Sequence, residues 1–308
     1  MKTSETVLIA GGSGLIGRPL SKMMADAGYG VRILTRKKKQ NISFEQAEWN
    51  PEKNFLEAGA LNGIDYIINL SGTGIADKPW TEKRKKDIIE SRIKPIETLV
   101  HHLKNHEHKI KAFISASAIG IYPKNKTQVM TEESLPGNDF LSCSVMQWEN
   151  ALLKTSLPQS IRKVIMRFGI VLSLKGGALP EILTPFRFHL AVILGNGKQI
   201  MSWVHIDDVC RALMHAVRHT TVSGIYNVTA PEPVTFKALI DETVKTKNRW
   251  FPKTSVPAFV LKLMMGERAG LVLDSIRVSS ARLESTGFQF LFPSISSALK
   301  NLFYEKQP

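Results

Sequence analysis

The stretch Thr6-Val-Leu-Ile-Ala-Gly-Gly-Ser-Gly-Leu-Ile-Gly17 joins an apolar strand to a helix through glycines at positions 11, 14 and 17. The spacing matches a phosphate cradle. Gly11 lets the chain turn off the strand, Gly14 keeps side chains away from a pyrophosphate, and Gly17 lets the helix approach the sheet. The pyrophosphate is then expected on the free N–H groups at the positive end of the helix dipole. Gly11, Gly12, Gly14, Leu15, Ile16 and Gly17 are the candidate contacts. An ordinary strand–turn–helix is the plainer alternative. Against it stand an amphipathic helix over 19–27 and a second strand over 31–35, both in the register the motif requires.

Which dinucleotide fits is read from the end of the second strand. NAD-selecting sites place an Asp or Glu about 20 residues beyond the glycines to hold the ribose. Here the strand ends in Thr35-Arg36-Lys37-Lys38-Lys39, and the next acid is Glu45. A guanidinium grips a 2′-phosphate through charged, bidentate contacts. The expected cofactor is therefore NADP(H), read by Thr35 and Arg36, with Lys38 and Lys39 as solvated charges.

The chain has 308 residues, 43% hydrophobic and 22% charged, sufficient for one large α/β domain and a smaller lobe. Its 41 Lys+Arg against 27 Asp+Glu give a net charge of +14. The bases are dispersed apart from 32–39, 78–94 and 101–111, with no aromatic-interleaved basic motif, which argues against nucleic acid. A positive field around a cleft instead steers an anionic ligand. Only Cys143 and Cys210 occur, so no disulfide framework is expected and a reducing compartment fits. The first residues lead into the first strand without a signal-peptide pattern, and the apolar stretch 256–273 is broken by Lys262, Glu267 and Arg268. These features point to a cytoplasmic protein with no membrane partner.

Further strands are expected at 65–71, 111–115, 163–167 and 224–228, with helices over 83–105 and 140–153. Strands alternating with helices imply a doubly wound, mostly parallel sheet. Asn69-Leu70-Ser71-Gly72 places small residues at a strand's carboxyl end, where open α/β sheets bind ligands. A helix-like stretch over 176–190 and an α-rich region after 230 complete the reading. Residues 1–230 are expected to form the dinucleotide-binding domain and 231–308 a small C-terminal lobe.

Together these segments resemble the extended short-chain dehydrogenase/reductase superfamily, which includes nucleotide-sugar epimerases. The matching pieces are 11–17, 69–72, Ser115-Ala-Ser-Ala-Ile-Gly-Ile-Tyr122, 167–172, 203–209 and 226–228. Ser91-Arg92, Trp148-Glu149, Gly176-Gly177-Ala178-Leu179 and the tail from Val256-Pro257 to Ala298-Leu299 narrow the resemblance to one atypical branch. That branch is the sugar-nucleotide epimerase-like family of the NAD-dependent epimerase/dehydratase superfamily, with a C-terminal domain of unknown function. The resemblance implies a Rossmann-type fold with bound NADP(H). Typical members use a Tyr with a Lys four residues on; counting back from Glu149, these positions fall on Leu141 and Val145, which transfer no proton. The usual hydroxyl falls at Ala118, or at Ser117 with a one-residue shift. Tyr122 and Lys126 have the Tyr/Lys spacing, but a turn at 123–125 keeps them off a helix.

The remaining candidates each carry two readings. Arg92 and Asp87 on the long helix either hold phosphate and ribose or are solvated charges, and the resemblance favours Arg92. Leu70, Ser71 and Gly72 present backbone to the cofactor, and Val171 lines its nicotinamide end. Tyr122 either faces the pocket or packs under the second lobe. Glu149 either works as an acid/base or anchors its helix to a backbone N–H, and His205 is either a catalyst or a core residue. His101, His102, His106 and His108 lack the context of a zinc site, so no metal is expected. The chain reads as an NADP(H)-dependent oxidoreductase or isomerase with a non-standard proton relay, acting on a small polar substrate, as monomer or homodimer. The alternative is an NADP(H)-binding sensor without turnover.

Overall fold

The computed structural model describes residues 5–40 and 42–304. Its centre is an eight-stranded sheet containing β1 (Thr6–Ala10), β2 (Gly30–Thr35), β3 (Glu45–Asn50), β4 (Phe55–Leu56), β5 (Tyr66–Asn69) and β6 (Ala112–Ala118), with the later strands Arg162–Phe168 and Gly224–Val228. The order from one edge is Gly224–Val228, Arg162–Phe168, β6, β5, β1, β2, β3, β4. All pairings are parallel except the β3–β4 hairpin. Val7, Leu8, Ile9 and Ala10 of β1 are fully buried, as a central parallel strand covered on both faces requires.

From β1 the chain winds outward through β2 and β3, then returns to lay β5 on the other side of β1. This reversal opens a crevice at the carboxyl ends of β1 and β5, the place where such sheets take ligands. Helices α1 (Gly17–Asp26), α2 (Glu82–Asn105) and α3 (Phe140–Leu153) follow β1, precede β6, and precede the strand Arg162–Phe168, respectively. α1 packs against the helix Ile206–Arg218, and α2 against α3. Thr81 caps α2 by accepting from the Arg84 N–H, and Asp139 caps α3 by accepting from the Ser142 N–H. Pro95 sits inside α2.

The sequence pattern missed β3, although Ala47 and Trp49 are buried and Glu45 and Glu48 exposed in the alternation of a half-covered strand. The helix expected over 176–190 is shorter: an α-helix at Ala178–Leu183 gives way to a 3-10 turn at Thr184–Phe188, where Pro185 withholds a backbone donor. A second core gathers Leu172, Leu179, Phe186 and Trp203 with Phe236, Leu239, Phe292 and Leu299. The region after 230 also contributes strands. Ile276–Val278 lies between Asn125–Met130 and Ile200–Met201, so a segment following β6 is built into the same small sheet as the C-terminal strand. Among the described residues, no helix is long and apolar enough to cross a membrane.

Candidate cofactor and substrate site

The glycine turn is shaped by close backbone approach. Gly11 has φ +83°, and a Cβ there would lie 2.9 Å from the carbonyl of Leu70; a Cβ at Gly17 would lie 2.2 Å from the Gly11 oxygen. These glycines hold the turn against α1 and β5. Gly14, by contrast, is exposed, and its N–H donates to the Gly11 carbonyl at 3.0 Å. Ile16 precedes α1 without a side-chain cap, and no acid occupies the first turn, so a phosphate would find donors there. Leu15 reaches across to Gly176 and Gly177, whose neighbour is the Val171 carbonyl. Thus Leu15 and the Val171 carbonyl both border Gly177, while Leu70 and Ser71 border Gly11. The Asn69 Nδ2 and Ser71 Oγ atoms are buried without a hydrogen-bond partner, an arrangement that fits a polar ligand laid over the end of β5.

At the end of β2, the Thr35 hydroxyl donates to the Lys37 carbonyl at 2.9 Å. Arg36 is exposed and enters no ion pair among the described residues, whereas Lys38 is held by Glu57 at 2.7 Å. Glu45 lies at the opposite end of the strands, paired with Arg32 at 2.8 Å. Glu48 is the register partner of Thr35 on β3, an acid that sequence distance concealed because the β2–β3 pairing is not local.

Arg92 reaches back across Gly72. Its Nη2 donates to the Thr73 carbonyl and its Nη1 to Ile88, both at 2.9 Å, and the guanidinium lies over Trp148 at 5.3 Å. Burial, with the charge of Arg84, lowers its pKa to about 10. Asp87 is exposed on α2.

Three of the four acid/base candidates converge, but inside the protein. Ser117 donates to Glu149 Oε1 at 2.6 Å, and Arg167 grips both oxygens of Glu149 at 2.8 Å. Arg167 also donates to the Tyr122 hydroxyl at 2.8 Å, which in turn donates to Asn227 Oδ1 at 2.6 Å. Tyr122 is 1% exposed and packs with Val278 beneath the lobe, so it does not face the pocket. Burial raises its pKa against the opposing charge of Arg167. Burial also works against the Arg167 charge, but Glu149 overrides it and holds the pKa above the ordinary value. Glu149 does anchor α3, through Arg167 and Ser117 side chains rather than a backbone N–H. His205 is fully buried against Phe292 and caps the helix Ile206–Arg218 by accepting from the Asp207 N–H. Burial lowers its pKa to about 4, leaving it neutral. Among the described residues, no cluster of three or more metal-ligating side chains occurs.

Leu141 and Val145 have separate fates. Val145 is buried with Ile119, Ile121 and Tyr122. Leu141 lines a cleft of about 440 Å³ together with Trp80, Lys85, Lys124, Asp139, Phe140 and Glu267. Trp80 and Phe140 meet edge to face at 5.0 Å. Lys85 is paired with Glu267 at 2.9 Å, and Lys124 with Asp274 at 2.8 Å and Asp139 at 3.3 Å. Burial opposes the Lys124 charge, and its two acids outweigh burial, raising its pKa. Sequence reasoning passed over these cleft residues. Lys124 stood inside the discarded Tyr122–Lys126 spacing, and Lys85 inside the basic run 78–94, which was weighed only for nucleic-acid binding.

Comparison with known proteins matches residues 7–229 to the NAD dependent epimerase/dehydratase family and residues 256–302 to a domain of unknown function, DUF1731. An epimerase family protein of Staphylococcus saprophyticus is 35% identical over 306 residues, covering 96% of this chain and 99% of the relative. The chloroplastic SDR39U1 homolog of Arabidopsis thaliana is 31% identical, covering 97% and 87%. The crystal structure of human SDR39U1 with NADPH superposes with a TM-score of 0.88 at 29% identity, covering 96% of this chain and 98% of that one. UDP-glucuronic acid 4-epimerase from Bacillus cereus shares the fold, with a TM-score of 0.79 at 16% identity, covering 97% and 98%. The glycine turn, the sheet reversal beside it and both matched segments therefore lead to one conclusion: the chain belongs to the NAD dependent epimerase/dehydratase family.

Proposed function

We propose that the protein is an NADP(H)-dependent oxidoreductase or isomerase acting on a small polar substrate in the cleft between the sheet and the C-terminal lobe. The observation that carries this reading is the glycine turn at the end of β1 with an exposed, ion-pair-free Arg36 directly after the neighbouring β2, where the chain itself carries no acid. The NADPH complex of the human relative supports it. In this reading the turn and α1 hold the pyrophosphate, Thr35 and Arg36 the 2′-phosphate, and Val171 and Gly72 flank the nicotinamide end. The bound cofactor would supply or accept a hydride. Ser117, Tyr122, Glu149 and His205 are internal, so proton transfer falls to the cleft, where Lys124 and Lys85 are the charged donors beside Leu141. The two free cysteines accord with a reducing compartment, read as the cytoplasm.

Calorimetric titration tests the reading. NADPH should bind at least about tenfold more tightly than NADH, as a charge-assisted contact of about 1.5–3 kcal/mol implies, and Arg36→Ala should erase the difference. Equal affinities for the two cofactors would overturn it. A second reading, an NADP(H)-binding sensor without turnover, is favoured by Leu141 and Val145 at the positions of the usual pair. It predicts NADPH binding with no oxidation or epimerisation across a carbonyl and sugar-nucleotide panel.

A further inference from the structure

We propose that the substrate is amphipathic: its carbonyl or hydroxyl end faces the cofactor, and an apolar chain extends across Trp80 into a groove against the helix Ala258–Met265. The proposal deepens the dinucleotide reading and rests on it for the reacting end. The cleft beside Leu141 shares Trp80 and Glu267 with a neighbouring groove of about 270 Å³, built from residues 79–81 and 264–268. The Trp80 indole N–H donates to the Ile75 carbonyl at 2.7 Å, and its ring meets Phe140 edge to face. What Trp80 offers a ligand is therefore apolar surface. Met264 is 73% exposed, and the unbranched thioether of methionine adapts to irregular apolar shapes. The two charged residues of the groove are already engaged: Glu267 pairs with Lys85, and Arg268 Nη1 donates to the Ala76 carbonyl.

The charges of the cleft decide against a nucleoside diphosphate as the occupant. Lys85 is held by Glu82 and Glu267, and Lys124 by Asp139 and Asp274. Each ammonium faces two carboxylates, so these ion pairs are net negative and repel a pyrophosphate instead of gripping it. Phe140, Leu141 and Leu271 give the rest of the cleft an apolar lining. Cavities of about 440 and 270 Å³ suit a small molecule and not a protein segment. Continuity then selects the part of the molecule that fills each. Leu141 stands where the resemblance places the proton donor, so the reacting end belongs beside it, and a chain leaving that point across Trp80 enters the methionine groove.

The test is calorimetric titration of the NADPH-saturated protein with straight-chain methyl ketones, from 2-butanone to 2-nonanone, and with UDP-glucose. Full burial of a CH₂ group strengthens binding about fourfold, and a half-open groove gives about twofold, so 2-nonanone should bind about thirtyfold more tightly than 2-butanone. UDP-glucose should bind more weakly than 2-nonanone. Met264→Asp should cut the span between the two ketones to below about tenfold, because the added carboxylate must stay hydrated where the chain would lie, with NADPH affinity within about twofold of wild type. Leu263→Asp, at a position 86% exposed that does not line the groove, should leave the span unchanged. Both sites are exposed, so the variants should fold. Affinity indifferent to chain length would overturn the proposal, as would tighter binding of UDP-glucose than of 2-nonanone, an unchanged span in Met264→Asp, or an equal loss in both variants. If the wild type binds no NADPH, the dinucleotide reading fails on its own. Ketone titration of the unloaded protein then decides the groove: a span lost in Met264→Asp supports it, and a span indifferent to that change overturns it.

Discussion

Glu149 and Arg167 exclude each other from solvent, with side chains only 5% and 6% exposed, and their charges are tolerable because each answers the other. Removing one leaves the other buried and unpaired. Glu149→Ala should therefore cost about 3–5 kcal/mol of stability, measured by denaturant unfolding, and a change below about 1 kcal/mol would contradict the brace assigned to it. His205 makes a pH-dependent contribution. Its folded pKa, about 4, lies below the ordinary imidazole value of 6.5, so the unfolded chain takes up the proton first. Its contribution is complete above pH 6.5 and is lost as pH falls toward 4, amounting to at most about 3 kcal/mol. His205→Asn, which keeps a cap acceptor, should flatten the pH dependence of the melting temperature over that window.

At the scale of the element, α3 explains why the missing Tyr/Lys pair is not restored by two substitutions. Position 141 faces the cleft and has room for a larger ring. Position 145 lies in the apolar cluster under the C-terminal strand, only 5% exposed. Leu141→Tyr should leave the melting temperature nearly unchanged, whereas Val145→Lys should destabilise by several kcal/mol because its ammonium has no partner there. Equal melting temperatures for the two variants would contradict this placement. The cradle glycines divide in the same way. Gly17→Ala should disrupt the fold through contact with the Gly11 oxygen, while Gly14→Val, at an exposed position, should remain folded and lose NADPH binding.

Across the whole molecule, the segment 266–274 is fastened over the cleft by charge. Glu267 pairs with Lys85, Asp274 with Lys124, and Arg268 donates to the Ala76 carbonyl at 2.8 Å. Pairs this exposed contribute about 0.2–1 kcal/mol each and weaken with salt. Hydrogen exchange of 266–274 should accelerate between low and high ionic strength, and Glu267→Gln should produce part of that acceleration at low salt. Exchange indifferent to both would mean that packing alone holds the segment.

Much of the fold was legible in the sequence because its signals are local. The glycine spacing and the strand–helix alternation depend on residues a few positions apart, and the observed α3 has the expected bounds. The proposed 2′-phosphate site rests on the same kind of local signal, since Arg36 follows the second strand directly. The acid/base candidates were not. Ser117, Tyr122, Glu149 and Arg167 come from separate segments, and only the packed sheet shows that they satisfy one another. The cleft is likewise tertiary: Lys124 and Asp274 are distant in the chain and meet because Asn125–Met130 and Ile276–Val278 pair as strands. Local propensity determined the scaffold and its glycine turn. Long-range burial decided which polar groups are internal braces and which face the cleft, because a buried charge or hydroxyl must find its partner wherever the fold brings one.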